Sequence, residues 1–295
     1  MDEQTKKNFI KAGRISAEAL EYGKTLIRKG SSLLDATEKI EAKIFEMGGE
    51  PAFPVQISCD HIAAHFCPLE DDDTIFDNQL VSLDLGVHIE GAVGDNAYTI
   101  DLSGKYAELV KASQKALEEA LKTINIGTSL GEIGKAIQET ISGCGFAPVK
   151  NLSGHGIDVY SIHTKPTIPN YDNRDYTEVK NGMVFAVEPF ATTGAGIVQE
   201  AGVPTVFSLE RKKPVRSPIA REIIKEIENY KGLPFATRWL TKKFGAKANL
   251  GLRELLQAGA IKGYPPLVEI NKGVVSQAEH SILVDNGEIV VLTKL

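Results

Sequence analysis

The stretch Val81-Ser82-Leu83-Asp84-Leu85-Gly86-Val87-His88-Ile89-Glu90-Gly91-Ala92-Val93-Gly94-Asp95-Asn96-Ala97-Tyr98-Thr99 decides the fold. Val81 and Leu83 alternate with Ser82 and Asp84, the period of a strand with one polar face. The segment from Gly86 to Gly94 turns back, and the alternation resumes through Asp95, Ala97 and Thr99. A hairpin symmetric about Ile89 and Glu90 sets Asp84 directly opposite Asp95. Cross-strand neighbours have Cβ atoms roughly 4.5–5.5 Å apart, and like charges so placed destabilise a sheet. A cation between the carboxylates relieves that repulsion, and oxygen ligands on a strand pair suit a divalent metal. A register slipped by one residue, or an Asp that only caps a turn, removes the need for it.

Composition narrows the classes. At 295 residues the chain can bury the core of one large domain, or of one and a half. A net charge of −6 argues against a protein that coats nucleic acid, so no DNA partner is expected. Met1 to Lys7 carries no apolar signal region, and no apolar run approaches the roughly 20 residues of a membrane span. Cys59, Cys67 and Cys144 are odd in number and lack zinc-ribbon spacing, which points to reducing cytosol and a cytoplasmic location. Cys59 and Cys67 are close enough to suggest a disulfide or a metal pair, but read more simply as two small packed hydrophobes. A monomer is expected.

Residues 5–47 read as two helices. Leu33, Ala36, Ile40, Ile44 and Met47 form one buried stripe, with Ser31 or Ser32 as N-cap and Gly48-Gly49 as stop. Residues 105–145 repeat the design: Leu130, Ile133, Ile137, Ile141 and Cys144 each follow their counterparts by 97 residues. Gly30-Ser31 matches Gly127-Thr128 at the same offset. Pro54-Val55 then answers Pro148-Val149, His61 answers His155, and Leu83-Asp84 answers Val187-Glu188. Shared spacing over such a length implies two helix–helix–strand halves related by a pseudo-two-fold axis. The expected fold is α+β, one antiparallel sheet with helices on one side.

Residues 209–270 break this pattern and read as a helical insertion, leaving 1–208 and 271–295 as the main domain. Glu210 to Arg216 is expected to open a helical stretch, and a further helix runs from Leu250 to Ala258. Arg211 to Lys247 holds eleven Lys or Arg against three Glu, which reads as a nucleic-acid or ribosome-facing patch or as a solvated helical insertion. Val274 to Val284 reads as a strand, with Glu288 to Leu292 beside it. In a strand Glu279 and His280 point to opposite faces. Glu279 shares its face with Gln277 and Ser281 and is the site candidate; His280 packs.

Polar positions on strands or their edges are therefore Asp84, Asp95, Glu188 and Glu279, with His155 in Asn151-Leu152-Ser153-Gly154-His155-Gly156. In this order, with Phe185-Ala186-Val187-Glu188-Pro189-Phe190 and Gln277-Ala278-Glu279-His280, the sequence strongly resembles the methionine aminopeptidases of the pita-bread metallopeptidase fold. The resemblance covers essentially the whole chain. The insertion before Glu279 looks like the type 2 branch of archaea and eukaryotes, and the lack of a long charged N-terminal extension favours an archaeal member.

The resemblance implies two divalent metal ions, with Asp95 and Glu279 bridging them. Asp84 completes the first ion's ligands; His155 and Glu188 complete the second's. Four carboxylates carry about −4, which two divalent cations balance, and an imidazole ligand suits a first-row transition metal better than calcium or magnesium. Co, Mn, Fe and Zn all remain open. The ions would lower the pKa of a shared water, whose hydroxide attacks the first peptide carbonyl. The resemblance makes His65 and His163 the pair that binds substrate and stabilises the tetrahedral intermediate, and lets Glu188 relay a proton. Phe53 and Ile162 would line the methionine slot. His61 and His88 are left as structural.

The expected activity is removal of initiator methionine from nascent proteins with small second residues, with a ribosome contact through the basic insertion. Within enzymes the alternative is an Xaa-Pro aminopeptidase or prolidase, against which the short N-terminus and the insertion count. Outside enzymes it is a pita-bread domain that binds RNA or ribosomes without metal, against which the complete ligand set counts.

Overall fold

The computed structural model describes residues 1–295. Helices α1 (Glu3–Leu26) and α2 (Leu33–Glu46) lead into β1 (Glu50–Pro51), β2 (Gln56–Cys59), β3 (Ile62–Ala64), β4 (Leu80–Ile89) and β5 (Ala92–Asp101). The second half runs α3 (Ala107–Thr123), α4 (Leu130–Gly143), β6 (Ala147–Pro148), β7 (Ser153–Asp158), β8 (Ser161–Pro169), β9 (Val184–Val187), β10 (Phe190–Thr192) and β11 (Val198–Glu200). Next come β12 (Val206–Leu209), α5 (Pro218–Ile227), β13 (Phe235–Ala236), α6 (Thr237–Phe244), α7 (Lys247–Ala258) and β14 (Ile261–Tyr264). The chain ends in β15 (Leu267–Glu269), β16 (Val275–Asp285) and β17 (Glu288–Val291).

The apolar stripes start helices at matching caps. The hydroxyl of Ser32 accepts the Asp35 N–H, and Ser129 forms a reciprocal capping box with Glu132. The β4–β5 hairpin turns at Glu90-Gly91, both at the positive φ that a type I′ turn requires. This corrects the expected centre at Ile89-Glu90, which would force a β-branched residue into the left-handed region. Asp84 therefore pairs with Ala97, and Asp95 with Gly86. A displacement of two in the pairing keeps both carboxylates on one face, as diagonal neighbours instead of direct opposites.

The repeat is visible in hydrogen bonding. Ser32 bridges to Ile75 and Ser129 to Glu178. Glu50 and Pro51 pair with His88 and Val87 in β4; Ala147 and Pro148, 97 residues on, pair with Thr192 and Ala191 in β10. Pro51, not Pro54, is thus the counterpart of Pro148. The offset of 97 persists into β2 and β7, where Cys59 pairs with Val81 and Gly156 with Phe185. His155 consequently occupies the place of Ser58, and the expected match to His61 fails. His61 lies in the turn after β2, where its carbonyl accepts the Glu269 N–H.

The main sheet orders its strands β1-β4-β5-β16-β9-β7-β8. At its centre β5 and β16 pair Ala97 with Glu279, and β4 flanks one side as β9 flanks the other. Val81, Leu83, Leu85 and Val87 face α1 and α2; Phe185, Val187, Ala278, Ile282 and Val284 face α3 and α4. Alternation then turns Asp84, Asp95 and Glu279 to the opposite face.

Residues between Val206 and Tyr264 carry their own core, including Phe207, Ile223, Phe235, Leu240, Leu255 and Ile261. The helix expected from Glu210 starts instead at Pro218, because Pro214 and Pro218 hold their preceding residues extended and Ser217 caps the first turn. The helix expected at Leu250 begins at Lys247, and α6 and the β12–β13–β14 sheet were not anticipated. The basic run is partly neutralised by Lys212–Glu228, Lys242–Glu38 and Lys243–Glu226. Arg238 is buried, and its two terminal nitrogens donate to Glu41 at 2.8 and 3.0 Å; Trp239 Nε1 donates to the same carboxylate at 3.0 Å. Removing one partner of such a pair strands a buried charge and typically costs about 3–5 kcal/mol. Glu41→Ala is expected to lower the unfolding free energy by about that amount in urea titrations.

Candidate metal centre

The five sequence-predicted ligand candidates arrive on four strands and one strand break. Asp84 comes from β4, Asp95 from β5, His155 from β7, Glu188 from the break between β9 and β10, and Glu279 from β16. All line one cavity of about 180 Å³, together with His65, His163, Phe53 and Ile162. His155 Nε2 lies 3.6 Å from Asp95 Oδ2 and 3.7 Å from Glu188 Oε1. Ligand atoms of Asp95, His155 and Glu279 all fall within 4.8 Å of one another.

The proton arrangement favours a cation. His155 Nδ1 is 3.3 Å from the Gly156 carbonyl, which places the proton there and leaves the Nε2 lone pair facing the carboxylates. Burial holds the His155 pKa down at about 3, and the neighbouring His163 adds to the shift, so the imidazole is neutral. Burial pushes Asp84 up to about 7. Burial and mutual repulsion push Asp95, Glu188 and Glu279 well above the usual carboxylate range. Asp84 Oδ1 and Asp95 Oδ1 are buried with no hydrogen-bond partner. Unpaired oxygens of this kind are costly unless protonated or bound to a cation. Hard oxygens with one imidazole nitrogen fit a first-row divalent ion.

Two polar residues complete the cluster. Gln277, seen in the sequence only as sharing Glu279's face, reaches into its middle. Its Nε2 lies 3.2 Å from Asp84 Oδ2, 3.4 Å from Glu188 Oε2 and 3.4 Å from Glu279 Oε2. Gln56, which sequence reasoning missed, accepts the His65 N–H at 2.7 Å. His65 has a φ of 66°, a left-handed conformation uncommon for a residue with a Cβ, and this bond holds it there. No local pattern announces Gln56; its role follows from β2 lying beside β4, where it pairs with Asp84.

His65 Nδ1 lies 3.3 Å from the Pro265 carbonyl, and burial lowers its pKa. The ring of His163 packs edge-on against His155, with centroids 4.4 Å apart. His163 is accessible from the cavity, yet crowding by protein, aided by His65, brings its pKa to about 4. Both imidazoles are neutral at pH 7. Phe53 and Ile162 are buried in one apolar cluster, and a Cβ on Gly86 would sit 2.3 Å from the Phe53 ring. His88 is outside the cavity, accepts the Gly91 N–H at 3.3 Å and packs edge-on to Tyr160. His280 faces the helices and meets Thr293 Oγ1 at 2.9 Å.

The model of metallopeptidase family M24 matches residues 7–217. The chain belongs to that family. As a member of M24 it is a metallopeptidase, hence a hydrolase, with the pita-bread architecture described above. It is 43% identical over 296 residues to the methionine aminopeptidase of Archaeoglobus fulgidus, covering all of both chains. Among solved structures it resembles a thermophilic Arx1, with a TM-score of 0.88 at 17% identity over 99% of this chain and 91% of that one. It also resembles the methionine aminopeptidase of Thermotoga maritima, with a TM-score of 0.73 at 23% identity over 100% and 98%. At these identities the two structures speak to fold alone.

The titration of an M24 centre without its cation has a defined sign. An acid whose pKa is raised on folding stabilises at low pH, and that stability is lost as pH rises through the folded value. The lowered histidines oppose this below about pH 6.5, but above it they are neutral in both states and drop out. Chelator-treated protein is therefore expected to lose stability as pH rises above about 6.5, measured as a falling urea midpoint. Saturating divalent cation is expected to flatten that slope.

Proposed function

We propose that the protein is a type 2 methionine aminopeptidase, removing the initiator methionine from nascent chains whose second residue is small. The observation that carries this is the gathering of four carboxylates and His155 in one cavity, in a chain alignable end to end with an archaeal methionine aminopeptidase. The insertion over residues 209–270 supports the type 2 branch.

In this reading Asp95 and Glu279 serve two divalent cations, Asp84 completes one ligand set, and His155 with Glu188 completes the other. Co, Mn, Fe and Zn all suit such donors. Two cations held there polarise a carbonyl and lower the pKa of water. The chain's own groups do the rest. A free, unprotonated α-amino group would bind at the metal centre, and an acylated or internal residue offers none, which explains action at an N-terminus only. His163 makes no hydrogen bond within the chain, so its neutral N–H is free to donate to the oxygen that gains charge as the peptide carbonyl is attacked. His65, with Nδ1 committed to Pro265, offers Nε2 as an acceptor for a substrate N–H. Glu188, with its carboxylate 3.7 Å from His155 Nε2 in the same cavity, is placed to take up and return a proton. Phe53 and Ile162 form an apolar wall for an unbranched side chain, worth roughly 1–3 kcal/mol per methylene in selectivity.

The substrate partner is the N-terminal peptide of a nascent protein, met in the cytoplasm. No helix is long and apolar enough to cross a membrane. Arg211 and Arg216, exposed and without ion-pair partners, supply a surface for ribosome contact.

A peptide panel tests the assignment. Release from Met-Ala-Ser is expected to exceed release from Xaa-Pro substrates, and the reverse order would make the protein a prolidase-like enzyme. His163→Ala is expected to reduce turnover about 10²–10⁴-fold with bound metal unchanged. Asp95→Asn is expected to empty the site, read by elemental analysis.

A further inference from the structure

The two central strands are joined in an unusual way. The main-chain ladder between β5 and β16 comprises Tyr98 with Ala278, Ala97 with Glu279, and Asn96 with His280. Continued in register, the next rungs would be Asp95 with Ser281 and Thr99 with Gln277. At both places a hydroxyl stands in for the main chain. Ser281 Oγ accepts the Asp95 N–H at 2.7 Å and donates to the Asp95 carbonyl at 2.9 Å. Thr99 Oγ1 accepts the Gln277 N–H at 2.8 Å and donates to the Gln277 carbonyl at 2.8 Å.

The two latches are related by the pseudo-two-fold through the Ala97–Glu279 rung. Each interposes a side chain between backbones, so the strands are pinched at that rung and spread on either side. Each also grips a residue of the cluster on both its N–H and its carbonyl: Asp95 in one case, Gln277 in the other. A hydroxyl has one proton and two lone pairs. Thr99 uses all three, since Ser82 Oγ, 2.8 Å away, supplies the third bond. Ser281 is steadied through its own N–H, which donates to Thr293 Oγ1 at 3.1 Å. Ser82, Thr99 and Ser281 are all buried, so water does not replace these hydroxyls.

We propose that Thr99 and Ser281 are positioning residues whose hydroxyls act as spacers between β5 and β16, setting the separation of Asp95, Gln277 and Glu279 and with it the affinity of the site for divalent metal. The proposal rests on the metallopeptidase reading. Without the spacer the strands either close onto the next rung or leave a buried N–H and carbonyl unpaired. In both cases the carboxylates move relative to one another, while the core packed on the helix face of the sheet is untouched.

The test compares Thr99→Val and Ser281→Ala, which remove the hydroxyl, with Thr99→Ser and Ser281→Thr, which keep it. Manganese affinity of the metal-free proteins is measured by calorimetry, and amide hydrogen exchange is followed at Asp95 and Gln277. The hydroxyl-free variants are expected to bind manganese at least tenfold more weakly and to exchange those two amides faster; the hydroxyl-keeping variants are expected within threefold of the parent. Should Thr99→Val fail to fold, the Ser281 pair carries the same comparison. Equal affinity in the hydroxyl-free variants, or equal loss in the hydroxyl-keeping ones, overturns the spacer role while leaving the metallopeptidase reading standing. A parent protein that takes up no divalent cation overturns that reading and the spacer with it.

Discussion

Carboxylates drawn together away from water repel one another, and this repulsion is the constraint on which the rest of the molecule depends. Asp84, Asp95, Glu188 and Glu279 share a single small cavity, and no Lys or Arg enters it to balance them. The only internal donor among them is the amide of Gln277. An uncharged amide cannot neutralise four acids, so either protons or cations must. The raised pKa values state the same fact in terms of protons. Placing such a cluster in the middle of a sheet, rather than on loops, holds it in place against its own repulsion.

The repeat explains how this is achieved without symmetry in the chemistry. Asp84 and Glu188 occupy equivalent places on β4 and at the end of β9, so the halves contribute equally there. Across the central pair the equivalence breaks. Asp95 on β5 faces the role that Gln277 takes on β16, and Ala97 stands where β16 carries Glu279. One half therefore provides an acid where the other provides an amide.

The insertion does more than add a solvated surface. Pro234, Tyr264 and Leu267 come from it and line the same cavity as the carboxylates. The buried bond between Arg238 and Glu41 ties it to α2, across nearly two hundred residues of sequence. A wall of this cavity thus belongs to a segment anchored to α2 by a buried ion pair.

Short-range order was legible in the residues themselves. Apolar spacing along α2 and α4, their serine caps and the alternation in β4, β5 and β16 are local properties, repeated every 3.6 or 2 residues. The order of acids and histidine along the chain was equally plain, and with it the family. What only the tertiary structure decided was register and proximity. A turn placed one residue further on changed which residue faces Asp84, and an unbroken offset of 97 replaced His61 by Ser58 as the counterpart of His155. The sheet of β12, β13 and β14 pairs Val206 with Tyr264, and Gln56 lies beside Asp84 only because β2 pairs with β4. Such contacts depend on where distant segments come to rest, and no periodicity along the chain encodes that.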